Sequence, residues 1–282
     1  MTSRRDFLQA ATLAALSATA RATQLKAIGV QLYTVRNVLP KKPAETLNAI
    51  RAIGYTEIEA TWGGYGDIRP MVQAAGLKPV SIHIDNTLMG KGADEMNRVV
   101  NQAKEWGFQY AVYPYVPVPE RGGPDVMKAF AEKLNGFGEK CHAAGIQFAY
   151  HNHAFESSPA GSGTLFQILI DNTDKKYVGF ELDVFWLSVS GNDPAEFIRK
   201  LRGRVPLLHC KDKAQGTEKR FDEGVPRTAF KEVGNGVLDW PGILRAASSA
   251  GVQHYFVEQD STPGDPLDSL RQSYNFLSKL NF

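Results

Sequence analysis

The chain has 282 residues, 43% of them hydrophobic and 22% charged, with a formal net charge of +2. This balance excludes a disordered chain, a collagen-like fibre and a membrane bundle, and it suits one large α/β domain or two ordinary ones. Lys and Arg are dispersed, which argues against a nucleic-acid partner, and the two cysteines, Cys141 and Cys210, form neither a CxxC unit nor a disulfide framework.

The first segment, "TSRRDFLQAATLAALSATARA", pairs Arg4 with Arg5 and continues into Phe7, Leu8 and a short Ala/Leu/Thr/Ser run. It ends in the small-residue sites Ala18-Thr19-Ala20 and Ala20-Arg21-Ala22. This is the layout of a secretory signal peptide, and "SRRDFL" resembles the twin-arginine type. Residues 1–24 are therefore expected to be removed on export to the periplasm. The apolar run is shorter than the roughly 20 residues of a membrane span, so no stable span is expected after processing.

From residue 25 onward, eight β-rich runs follow in order: "KAIGVQLYTV", "YTEIEATW", "LKPVSIHID", "YAVYPYV", "IQFAYHNH", "VGFELDVFW", "VPLLHCKD" and "HYFVEQD". The intervening segments read as helices. In "PDVMKAFAEKLNGFGEKCHAAG", Pro124 suits an early helix position. Met127, Phe130, Leu134, Phe137 and Cys141 then recur at steps of three and four, and Gly145 supplies a stop. Similar signals bracket "KPAETLNAIRAIG", "GADEMNRVVNQAKEWG", "DPAEFIRKLRG" and "WPGILRAASSAG". Alternating strands and helices predict parallel βαβ units, and eight rounds in this length predict one closed (β/α)8 barrel over 25–282. No GxGxxG turn follows the first strand, which disfavours a doubly wound sheet.

Ionisable residues gather at the strand ends: Glu59 near Trp62, His83 and Asp85, His151 and His153, Glu181 and Asp183, His209, Lys211 and Asp212, then Glu258 and Asp260. In a (β/α)8 barrel this end carries the active site. Any one of these residues is compatible with a structural role. Carboxylates inside apolar strands, however, are costly unless they are paired or bind a cation. Alternation puts His209 and Lys211 on one face and Cys210 on the other, so Cys210 is expected to pack rather than react. Imidazoles and carboxylates without thiolate suit Mn²⁺, Zn²⁺, Co²⁺ or Fe²⁺, and ligand softness does not choose among them.

Asp183 in "FELDVFW", "HCKD" at 209–212, "VGNGVLDW" at 233–240, "VEQD" at 257–260 and the stretch "YHNHAFE" together resemble the xylose-isomerase-like barrel superfamily of sugar isomerases and epimerases. The resemblance spans nearly all of 26–282. It implies one divalent metal bound by His151, Asp183, His209 and Glu258. The sugar epimerases have Glu where this chain has His151, so one of their two proton-exchanging glutamates is missing. Glu156 is either a replacement base or a loop carboxylate, and His153 is a metal-adjacent or substrate-binding group.

The expected function is isomerisation or epimerisation of an unphosphorylated sugar or keto-sugar by enolisation. Glu258, or a His such as His153, would take the proton, and Lys211 would stabilise the oxyanion or donate a proton. The missing glutamate raises a lyase or hydratase acting on 3-keto-glycosides as the alternative. A non-catalytic envelope sugar-binding protein is a reading of another class. The endonuclease branch would want more metal ligands and a basic groove. Glu59, His83, Tyr33, Trp62 and Trp186 are candidate substrate contacts, although the aromatic residues among them would equally pack the barrel rim. The expected partner is a small carbohydrate, and assembly into a homo-oligomer is left open.

Overall fold

In the computed structural model, which describes residues 23–282, the repeating helix–Gly–strand phrase becomes a barrel. The strands are β1 (Gly29–Gln31), β2 (Glu57–Thr61), β3 (Lys78–His83), β4 (Tyr110–Tyr113), β5 (Gln147–His151), β6 (Val178–Asp183), β7 (Leu207–Cys210) and β8 (His254–Val257). They pair in chain order, all parallel, and β8 closes on β1 through Gly29↔Phe256 and Val30↔Val257. The chain is thus a single (β/α)8 barrel. The expected leader, residues 1–24, lies outside the described residues except for Thr23 and Gln24. Thr23 exchanges two 3.0 Å backbone hydrogen bonds with Phe282.

The outer layer comprises α1 (Pro43–Ile53), α2 (Tyr65–Ala74), α3 (Ala93–Glu105), α4 (Pro124–Ala144), α5 (Leu165–Asn172), α6 (Val184–Val189), α7 (Pro194–Lys200), α8 (Trp240–Ala250) and α9 (Pro266–Leu277). The predicted stripe of α4 is realised: Met127, Leu134, Phe137 and Cys141 are buried, joined by Ala131, while Phe130 is only half-buried. Burying each large apolar side chain contributes about 1.5–3 kcal/mol, so the stripe rather than intrinsic propensity holds this helix in place. Gly145, at φ +79°, ends it. Gly138 is required by close approach, since a Cβ there would lie 2.5 Å from the Tyr177 carbonyl oxygen.

At the ends of β1 and β6 a polar side chain captures the backbone beyond the strand. The Gln31 Oε1 accepts from the Tyr33 N–H at 3.0 Å, turning Leu32–Val35 into a 3-10 turn. Asp183 Oδ1 accepts from the Trp186 N–H at 3.0 Å and caps α6, so "VFW" is helical.

Side-chain alternation stacks the barrel interior. Val80, Tyr110, Val112, Ala149, Leu207 and Phe256 form an apolar plug. Two residues further along β5, β7 and β8 come His151, His209 and Glu258, so the apolar floor gives way to ionisable groups toward the strands' C-terminal ends.

Candidate metal centre

His151 ends β5, Asp183 ends β6, His209 sits within β7, and Glu258 follows β8. Register brings them level, with Asp183 opposite His209 and Phe256 opposite His209. One potential ligand atom from each of these four residues lies within 4.8 Å of all the others, and all four are buried. Asn152 Oδ1 accepts from the Asp183 N–H at 2.9 Å, fixing the end of β6 against β5.

The two imidazoles face both ways. His209 Nδ1 lies 3.0 Å from Glu258 Oε2, while its Nε2 lies 2.6 Å from Glu59 Oε1 and 3.2 Å from Glu181 Oε2. His151 Nε2 lies 3.9 Å from Asp183 Oδ2, while its Nδ1 lies 3.1 Å from Glu181 Oε2. His83 Nε2 reaches both deep carboxylates, at 2.9 Å from Glu59 and 2.8 Å from Glu181. Gln31 donates to Glu59 at 2.7 Å.

Above this layer, Lys211 Nζ lies 2.9 Å from Asp183 Oδ2, 2.8 Å from Glu258 Oε2 and 3.2 Å from Asp260 Oδ2. The contact with Asp183 is close but off hydrogen-bonding alignment, so Asp183 Oδ2 counts among the buried oxygens without a hydrogen bond. Glu59 Oε2 and Glu181 Oε1 are in the same condition.

Without a cation, His83 and His209 pair with the deep carboxylates and Lys211 with the upper ones. Burial opposes protonation of His83 and His209, but Glu59 and Glu181 win, raising His83 to about 9 and His209 well above its ordinary value. Burial would raise Glu258, but Lys211 and His209 hold it far below the usual carboxylate range. Burial raises Asp260 to about 6 against the pull of Lys211. His151 and His153 are both pushed down, chiefly by burial, so both are neutral at pH 7.

This donor set fits a divalent cation. It offers two imidazole nitrogens and two carboxylates, and a carboxylate stands on the far nitrogen of each ring, the arrangement that fixes a ligating tautomer. A second grouping, His83, His151, Glu181 and His209, also converges. It uses the ring nitrogens that face the deep carboxylates, and it has one carboxylate instead of two. The sequence-derived set is the better fit on these grounds.

A cavity of about 470 Å³ opens above the set, lined by His83, His151, His153, Trp186, Lys211, Glu258 and Asp260, with Tyr33, Pro114, Tyr115, Glu223 and Phe230 at its sides. The buried His153 Nδ1 and Trp186 Nε1 have no hydrogen-bond partner among the described residues. Both belong to residues that line the cavity.

Several sequence expectations need correction. Glu59 does not line the cavity: it is fully buried, committed to Gln31, His83 and His209. Trp62 packs on Trp106 with ring centroids 5.1 Å apart and does not line the cavity, so the rim-packing reading holds for it. Glu156 is no base for the mouth. Its loop folds back, so it is fully buried, accepting from the Tyr150 hydroxyl at 2.5 Å and from the His153 N–H at 3.0 Å. Burial raises it to about 7. Asp212, counted among the strand-end charges, is a buried hub. It accepts from Gly234, Gly236 and Leu238 N–H groups and from Trp240 Nε1, pinning "VGNGVLDW". Gly236 is obligatory there, because a Cβ would collide with the Asp212 carboxylate.

Glu223 and Phe230 were missed as cavity residues. They come from loops without periodicity. Their one sequence signal is the length of the segment between "VPLLHCKD" and "WPGILRAASSAG".

The sequence profile of a family described as xylose isomerase-like TIM barrel matches residues 47–280. An inosose dehydratase of Clostridium perfringens is 29% identical over 157 residues, covering 50% of this chain and 50% of its own length. The chain thus spans about half the length of the curated relatives it matches. A sugar phosphate isomerase/epimerase structure from Parabacteroides distasonis superposes with a TM-score of 0.77 at 26% identity, covering 94% of this chain and 97% of the other. A xylose isomerase-like TIM barrel protein from Mycobacterium smegmatis, in complex with magnesium, superposes with a TM-score of 0.66 at 15% identity over 90% and 95% of the two chains, a likeness of fold alone.

Proposed function

The chain belongs to the xylose isomerase-like TIM barrel family, and we propose that it is a metal-dependent carbohydrate lyase that removes the proton beside a sugar carbonyl and expels a β-oxygen substituent. The observation that carries this reading is the convergence of His151, Asp183, His209 and Glu258 beneath a cavity that also holds the Lys211 ammonium. His151, Asp183, His209 and Glu258 would hold a divalent cation, which would supply Lewis acidity to a bound carbonyl and its neighbouring hydroxyl.

The chain's own groups divide the remaining work. Glu258 is committed to His209 and Lys211, and its depressed proton affinity makes it a poor base. His153 is neutral and lines the cavity, so it takes the proton. Lys211, held protonated by three carboxylates, meets the negative charge developing on the carbonyl oxygen. His153 then hands its proton to the departing oxygen, which closes the cycle with one base. Trp186, on the cavity wall, is a further sugar contact.

Two features support elimination over epimerisation. The strand-five glutamate of the epimerases is His151 here, and the curated relatives include dehydratases. Isomerisation is the second reading, favoured by the named activity of the Parabacteroides distasonis neighbour. The donor set admits Mn²⁺, Zn²⁺, Co²⁺, Fe²⁺ or Mg²⁺. The arginine pair in residues 1–24 leads us to propose twin-arginine export, which would confine the enzyme to unphosphorylated substrates.

The test is solvent exchange in D₂O, followed by NMR on the metal-loaded enzyme. His153→Gln should abolish deuterium uptake at the carbon beside the carbonyl while metal content stays at the wild-type level. Turnover without exchange or a primary isotope effect at that carbon would exclude enolisation. Full exchange in His153→Gln would remove His153 as the base.

A further inference from the structure

Beside the mouth lies a second cavity of about 640 Å³, between the loops that follow β1 and β2. Leu32, Leu39, Pro40, Ile68 and Met71 make its walls, with polar side chains confined to Thr61, Asp67, Arg36 and two tyrosines. Tyr33 lines both this groove and the mouth and is 43% exposed, so one aromatic ring forms the wall between a polar chamber and an apolar one. That ring is clamped. The Arg36 guanidinium lies 4.0 Å from its centroid and donates to the carbonyls of Tyr33 at 2.9 Å and Asp260 at 2.6 Å. Asp260 in turn lies against Lys211 in the mouth.

We infer that this groove is a second subsite that takes the apolar aglycone of a glycoside whose keto-sugar ring occupies the mouth. The inference rests on the function proposed above. A free monosaccharide has no apolar substituent large enough to fill the groove, and it would leave the groove in water. An amphiphile with a polar ring and an apolar substituent matches both chambers at once, and burying a phenyl-sized group contributes enough to favour it more than about tenfold. The aglycone is then the leaving group. The proton beside the carbonyl passes to His153, the bond between sugar carbon and aglycone oxygen breaks with its electron pair on oxygen, that oxygen takes the proton, and the sugar keeps a new C=C bond.

The experiment uses the metal-loaded full chain and two pairs of ligands. Binding of 4-nitrophenyl and methyl β-D-glucopyranoside is measured by calorimetry, and turnover is measured on the 3-keto forms of phenyl and methyl glucoside. Two variants alter the groove. Gly63→Phe fills it, since a Cβ at Gly63 meets nothing within 4 Å, and Ile68→Asp charges it. The wild type should prefer the aryl ligand by at least about tenfold, and both variants should lose that preference while handling the methyl ligand as before. Equal handling of aryl and methyl ligands by the wild type, or failure to bind either, would overturn the subsite. If aryl preference is present and groove-dependent but no glycoside turns over, the subsite stands and the lyase reading falls. If both turn over equally, the lyase reading stands and the subsite falls.

Discussion

Replacing Lys211 with Met keeps a stem of similar length and removes one charge. The Lys211 side chain is 1% exposed, and its ammonium lies within 3.2 Å of oxygens from Asp183, Glu258 and Asp260. Without a cation, the variant would hold three carboxylates together in a buried site, and removing one partner of a buried ion pair costs about 3–5 kcal/mol. At about 2–4 °C per kcal/mol for a large domain, the metal-free melting temperature should fall by roughly 6–20 °C. A divalent cation between Asp183 and Glu258 restores positive charge, so the loaded variant should lose only on the order of 1–2 kcal/mol. Thermal scans with a chelator and with excess Mn²⁺ measure the two losses. Metal-loaded turnover should still fall about 10²-fold, because the oxyanion loses its counter-charge. An equal drop in melting temperature with and without Mn²⁺ would refute the placement of Lys211 beside the ion site.

Glu181→Gln should lower metal affinity about 10–100-fold without unfolding the barrel, because it weakens the group behind His151 Nδ1 and His209 Nε2; competition with a fluorescent chelator reads this. Glu156 has a folded-state pKa near 7 against 4.5 unfolded, so the native state binds more protons and stability declines as pH rises from about 5 to 8. Glu156→Gln should flatten that slope in urea titrations and be relatively more stable at pH 8; an unchanged slope would count against the buried-carboxyl assignment. Changing Arg4 and Arg5 together to Lys should trap the precursor inside the cell, and normal periplasmic delivery on fractionation would discard the export proposal.

The barrel was legible because two periodicities alternate cleanly. The stripe of α4 and the glycine at its end are written in Met127, Leu134, Phe137, Cys141 and Gly145. Alternation also separated Cys210 from His209 and Lys211, and placed Asp183 beyond Glu181 on the same face. What alternation does not encode is depth. Glu59 and Asp183 both lie near strand ends, yet Glu59 points into the buried layer behind His209, whereas Asp183 meets Lys211. Nor does it encode what a loop does after its strand. Glu156 turns back onto Tyr150, and Asp212 gathers the N–H groups of a loop more than 20 residues later in sequence. Both are tertiary hydrogen bonds with no local pattern to announce them.

His151, Asp183, His209 and Glu258 are proposed to hold one divalent cation. Elemental analysis combined with pulsed electron paramagnetic resonance on the Mn²⁺-loaded chain tests it most directly, since coupling to nitrogen reports each ligating imidazole. One Mn²⁺ per chain with two coupled imidazole nitrogens is expected. Asp183→Ala should lose most of the metal, and His151→Ala should drop one nitrogen coupling in whatever metal remains. A wild-type chain that binds no stoichiometric metal, or nitrogen couplings unchanged in both His151→Ala and His209→Ala, would contradict it.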